Sequence, residues 1–178
     1  MHREIDLLPR RGYLCEVVDE QGQKRRAAEL FTAGYQRHMS MDLDGAIDLY
    51  TQSIQACPTA EAYTFRGWAY EGLGRLDDAI AECHKAIEID PTYGNPYNDI
   101  GAYLIAKGQL DEAIPWLEKA KTAPRYEPRH FPYLNLGRLY AAKGMLTAAA
   151  AEFERAIEIE PNDQTSMQML ARLRAMLN

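Results

Sequence analysis

The chain has 178 residues, a net charge of −6, and 47% apolar against 26% charged residues, which suits one folded unit with a single substantial core. No stretch approaches the roughly 18 consecutive apolar residues of a membrane helix, so no membrane insertion is expected. The negative charge weighs against nucleic-acid binding driven by phosphate contacts, since Lys24-Arg25-Arg26 is too short to reverse it.

Residues 1–23 open with Met1-His2-Arg3-Glu4, whose early acid precedes no long apolar run of the secretory kind. Tyr13-Leu14-Cys15-Glu16-Val17-Val18 is β-favouring and stands before an Asp-Glu-Gln-Gly turn signal. A single strand is not stable alone. Three readings stay open for residues 1–23: an extended lead-in lying on the first helices, a strand that pairs with a partner or a second copy, or disorder.

From residue 24 the sequence repeats. Gly34, Gly67, Gly101 and Gly137 lie 33, 34 and 36 residues apart, and Ala46, Ala79, Ala113 and Ala149 follow the same steps. Pro58, Pro91 and Pro161 each follow an alanine of that series by 12 residues, while Pro124 follows Ala113 by 11. Within a unit the apolar residues have helical period, as in Ala79-Ile80, Cys83 and Ala86-Ile87. Gly74-Arg75-Leu76-Asp77, Gly108-Gln109-Leu110-Asp111 and Gly144-Met145-Leu146-Thr147 each place a turn glycine before an expected capping Asp or Thr. Each unit therefore reads as a helix, a tight turn and a second helix. A glycine on the first helix facing an alanine on the second would let the axes approach, with Tyr50, Leu117 and Phe153 filling the space between units. After Pro161, residues 163–177 carry an apolar stripe at Met167, Leu170, Ala171, Arg174 and Leu177 and read as a capping helix, which an array needs to cover its last apolar face.

These residues, in stretches such as Gly67-Trp68-Ala69-Tyr70 through Ala86-Ile87-Glu88-Ile89-Asp90-Pro91, resemble the tetratricopeptide repeat family. The resemblance implies an all-α, right-handed superhelix over residues 24–178, with repeats near 27–59, 60–93, 94–129 and 130–162 and the cap at 163–177. The first repeat departs from it, with Met41 in place of the turn glycine and Arg37 where other repeats have Tyr70, Leu104 and Tyr140. Pro115, one turn into its helix, predicts a small bend.

In such a solenoid the first helices line a concave groove. The residues facing away from the packing stripe are Phe31, Thr32, Tyr35 and Met39, then Thr64, Phe65 and Trp68, then Asn98, Asp99 and Ala102, then Leu134, Asn135 and Arg138. Exposed aromatics mark interfaces, and Asn98 and Asn135 can bond both the N–H and the C=O of an extended peptide. The expected function is a scaffold or adaptor that binds a peptide segment of another protein through Phe31, Tyr35, Thr64, Phe65, Trp68, Asn98, Asp99, Leu134, Asn135 and Arg138. The competing readings are aromatics covered by residues 1–23, a solvated polar face, and a subunit that self-associates as a homo-oligomer. Some family members clamp a chaperone's C-terminal carboxylate with several Lys, Arg and Asn residues; only Asn135 and Arg138 stand in comparable places, so no such clamp is expected. The connection Thr122 to His130, with Pro124 and Pro128 and with Pro132 just beyond, offers Tyr126 and Arg129 as a second exposed ridge.

Nothing points to catalysis or to a cofactor. His2, His38, His84 and His130 are isolated, and Cys83 lies in a buried stripe while His84 points about 100° away from it. Cys15, Cys57 and Cys83 are far apart with no C-x-x-C pair, so neither zinc nor a disulfide is expected and a reducing, cytoplasmic setting fits best. Asp77-Asp78 and Asp111-Glu112 sit at helix starts, where acids complement the dipole.

Overall fold

The computed structural model describes residues 12–177, which form nine helices: α1 (Gly12–Met39), α2 (Leu43–Ala56), α3 (Ala60–Gly72), α4 (Leu76–Ile89), α5 (Asn95–Ala106), α6 (Leu110–Thr122), α7 (Phe131–Ala142), α8 (Leu146–Ile159) and α9 (Gln164–Leu177). Each helix packs on the next, and α1, α3, α5 and α7 also touch in sequence, so the first helices of the four pairs line one continuous face of a right-handed α–α superhelix.

The small residues bring the paired helices together, although not by the expected contact. A Cβ on Gly34 would lie 2.9 Å from the Tyr50 ring, one on Gly101 would lie 2.5 Å from Leu117, and one on Gly137 would strike Phe153. The glycines of α1, α5 and α7 thus receive the bulky residue of the second helix; only Gly67 faces its alanine, at the Ala79 carbonyl oxygen. Ala46, Ala79, Ala113 and Ala149 are fully buried one turn away.

The turns share one backbone solution. Gly74, Gly108 and Gly144 have φ of +74°, +77° and +73°, and the residue after each donates its N–H to a carbonyl five positions back, as Arg75 does to Tyr70. Met41 adopts the same left-handed conformation at φ +62°, with Asp42 donating to Arg37. The first repeat therefore keeps the turn without the glycine. The cap position falls on the residue directly after the left-handed one, so α4, α6 and α8 start at Leu76, Leu110 and Leu146 with Arg75, Gln109 and Met145 at the cap, and these make no side-chain cap bond. Asp77 and Asp111 instead stand in the first turn and pair with Lys107 and Lys143 of the next repeat. Side-chain caps occur where a capping residue holds that position, from Asp42 to the Gly45 N–H after the Met41 turn, and likewise from Thr59 to Ala62 and Asp163 to Ser166.

Two further expectations are corrected. Residues 12–23 are helical and not extended, because α1 runs unbroken from Gly12. Extending a nucleated helix adds a hydrogen bond per residue without a new nucleation cost, and Glu20 accepts a bond from Lys24 at 2.7 Å one turn on. The remainder of the N-terminal expectation falls on residues 1–11, outside the described residues. On α9 the packing face is Ser166, Met169, Leu170 and Leu173, with Met167 and Ala171 turned outward. The helical period was right but its phase was rotated. Pro115 lies inside α6, beyond the first turn, where it forgoes an interior hydrogen bond.

Candidate functional site

Aligning the first helices on their glycines sorts the groove residues into columns. Three positions before each glycine stand Phe31, Thr64, Asn98 and Leu134; two before stand Thr32, Phe65, Asp99 and Asn135; one after stand Tyr35, Trp68, Ala102 and Arg138. The first column points between repeats. Thr64 is fully buried and its hydroxyl donates to the Ala60 carbonyl at 2.8 Å, Leu134 is 3% exposed beneath α9, and Asn98 is 8% exposed. Thr64 is therefore a core residue and leaves the groove set. The other two columns face the concavity.

At the α1–α3 end the aromatic residues shield one another. Phe31 and Phe65 are 5.0 Å apart edge to face, Tyr35 stands 5.8 Å from Phe65, and Phe65 lies 4.3 Å from Trp68. The fully buried Tyr50 backs them, 5.6 Å from Phe31. Phe31 and Phe65 are half-buried extensions of the core, whereas Tyr35 presents its ring to solvent. An apolar hollow of about 410 Å³, lined by Ala27, Ala28, Phe31, Ser53 and Cys57 among others, adjoins this end. It was not anticipated; the adjacent small residues Ala27-Ala28 on α1 were the available signal.

At the α3–α5–α7 end the groove deepens into a pocket of about 360 Å³ in which Trp68, Asn98, Asp99, Leu134, Asn135 and Arg138 come together. The wall opposite is supplied by Tyr126, Pro128, Phe131 and Thr165, none of which was anticipated there. Tyr126 belongs to the long connection, read above as an exposed ridge. It is instead 4% exposed, its ring folded over Gly94, where a Cβ would strike it. The connection is held down by Arg125, which pairs with Asp90 and Glu61, both at 2.7 Å, and by backbone bonds from Arg125 to Thr92 and from Gly94 to Arg125. Arg129 is exposed and donates to the Pro124 carbonyl at 2.9 Å.

The pocket floor is a chain of polar side chains. The Trp68 indole N–H donates to Asp99 Oδ2 at 2.6 Å, the Asn98 amide donates to Asp99 Oδ1 at 3.4 Å, and Asn135 donates to Asn98 Oδ1 at 3.0 Å. With both ends engaged, Asn98 is a bracing residue, and Asn135 keeps its carbonyl oxygen for a ligand. Burial dominates the Asp99 carboxyl and pushes it up to about 7, with the negative Glu71 adding to that effect and the two donors opposing it.

Elsewhere, burial pushes the Cys83 thiol well up, as befits a core cysteine and not a nucleophile. Among the described residues no group of three or more His, Cys, Asp or Glu side chains could hold a metal ion. No described helix is long and apolar enough to cross a membrane.

Stacked helix pairs with left-handed turns and a concave first-helix face define a helix-pair repeat solenoid. The chain belongs to the tetratricopeptide repeat family: models of the tetratricopeptide repeat match residues 60–93, 83–114 and 132–163. It is 33% identical over 97 residues to small glutamine-rich tetratricopeptide repeat-containing protein 2 of Saccharomyces cerevisiae, covering 54% of this chain and 28% of that protein. It is 34% identical over 106 residues to heat shock protein STI1 of the same yeast, covering 58% of this chain and 16% of that protein. The chain thus spans less than a third of the length of these relatives. Among solved structures, pilF of Pseudomonas aeruginosa superposes with a TM-score of 0.81 at 18% identity, covering 87% of this chain and 70% of that one. YrrB, a TPR protein with an unusual peptide-binding site, superposes with a TM-score of 0.65 at 20% identity over 80% of this chain and 73% of that one. Fold and family together are those of protein–protein interaction scaffolds.

Proposed function

We propose that the concave face binds a peptide segment of a partner protein, with the pocket between α3, α5 and α7 at its centre. One observation carries the reading: side chains from three successive repeats, Trp68, Asp99, Asn135 and Arg138, converge on one open pocket of about 360 Å³. Convergence of a few polar groups on a partly apolar concavity is the usual form of a binding site. Arg138 and the free oxygen of Asn135 supply a donor and an acceptor for an extended backbone, while Tyr35 and Phe131, 42% and 39% exposed, flank the track with aromatic surface. The reading involves no catalytic step, no cofactor and no nucleic acid.

The test is selection of a random peptide display library on the wild type and on the double variant Asn135→Ala, Arg138→Glu, both positions on the open face of α7. The expected result is a shared set of peptides on the wild type and at least tenfold weaker binding by the variant, with unchanged helical circular dichroism. Equal binding by both proteins, or no enrichment on the wild type, overturns the reading.

A further inference from the structure

Acids between packed helices are matched by cations of the chain itself. Asp77 meets Lys107, Asp111 meets Lys143, Glu82 meets Arg66, Glu152 meets Lys121, and Asp90 and Glu61 share Arg125. Asp99 differs. Its oxygens receive only the neutral Trp68 indole and Asn98 amide, and the charge that acts on it, Glu71, has its own sign. Asp99 is nonetheless partly buried and lines an open pocket.

A carboxylate taken out of water without a cation is unfavourable, and one supplied from outside relieves it. The surrounding surface suits that cation. Trp68, Tyr126 and Phe131 line the same pocket, and aromatic faces attract ammonium and guanidinium groups. Arg138 is at the open rim, where its charge is screened by solvent, and among the described residues no cation pairs with Asp99. We propose that the pocket takes a basic side chain, lysine or arginine, of the docked partner segment, whose cation pairs with Asp99 between the aromatic walls. The proposal rests on the peptide-binding reading above and adds the chemistry of the central residue. Asp99 then acts as the specificity determinant, and Arg138 meets the segment's backbone or a neighbouring acid.

The experiment uses peptides selected on the wild-type chain. They are expected to share a Lys or Arg, and replacing it by norleucine should weaken binding at least tenfold. Asp99→Asn, which keeps the shape and one accepting oxygen but not the charge, should weaken the parent peptide by a similar factor, and the norleucine peptide should hardly distinguish wild type from variant. Circular dichroism confirms that the variant is folded. If no peptide is enriched, the groove reading fails and this proposal with it. If groove-dependent peptides lack a common basic residue, the groove reading stands and the cation pocket is refuted. Full binding by Asp99→Asn also refutes it, because a carboxyl acting only as a neutral hydrogen-bonding group would tolerate that change. Enrichment of acidic peptides that depend on Arg138 would assign the pocket to an anion instead.

Discussion

Asp99→Asn should make the unliganded chain more stable at alkaline pH. The carboxyl, ordinarily at 3.8, is pushed up to about 7 in the fold. Below 3.8 it is protonated in both folded and unfolded chains and costs nothing. As pH rises from 3.8 to 7 the unfolded chain ionises while the folded chain holds its proton, so stability falls progressively and levels off above 7. Three pH units at about 1.4 kcal/mol each set the loss at up to roughly 4 kcal/mol, a large part of the 5–15 kcal/mol typical of a domain. Asparagine carries no charge and escapes the loss, giving up one of the two accepted hydrogen bonds at every pH. Thermal melts of wild type and variant at pH 4 and pH 8.5 measure the difference; at 2–4 °C per kcal/mol for a chain of this size, the variant should melt about 8–16 °C higher at pH 8.5 and nearly level at pH 4. A variant that melts at or below the wild type at pH 8.5 would refute the view that Asp99 is a strained, unpaired acid.

Met41→Gly should raise stability by about 1 kcal/mol, since a side chain in the left-handed region costs about 1–2 kcal/mol and the exposed Met41 gives little back; denaturant melts check this. Gly137→Ala should destabilise by about 1–3 kcal/mol because its methyl would strike the fully buried Phe153 ring, read as a lower denaturation midpoint. Deleting residues 163–178 removes Leu170 and Leu173 from the cluster around Leu134 and Phe153. At 1.5–3 kcal/mol per large apolar side chain uncovered, roughly 3–6 kcal/mol is lost, and an unchanged melting temperature would show that α9 is not a cap.

Much of the fold was legible because its information is periodic. One glycine and one alanine per repeat mark where helices of a pair touch, and the turn glycines mark a backbone conformation that few other residues adopt. What was missed depends on phase. Thr64 was read as a groove residue beside Phe65, yet it lies four residues after the buried Ala60 and three before Gly67, on the packing side. The same offset applies to Phe31, Asn98 and Leu134, so the glycine register itself could have identified the inward column. The caps were misplaced because the residue directly after the left-handed one takes the cap position, two before the Asp or Thr read as the cap. Tyr126 was unavailable to any repeat argument, since it enters the pocket from the one connection that breaks the repeat, and Phe131 opens α7, one turn before the columns that were read.

That irregular connection also explains why the groove has a centre. Four equal repeats would present four equivalent stretches of concave surface. The α6–α7 segment instead folds back over Gly94, fixed by Arg125 to Asp90 and Glu61, and raises Tyr126 and Pro128 as a wall opposite Trp68 and Asp99. Tyr126 and Pro128 line the same pocket as Asp99, whose carboxyl is pushed up to about 7 by burial. Asp90, tied to Arg125 and Thr92 and held down at about 2, keeps the charge that anchors this wall across the range in which Asp99 titrates. Between pH 4 and 8 the wall therefore stays in place, and the charge of the pocket floor is what changes.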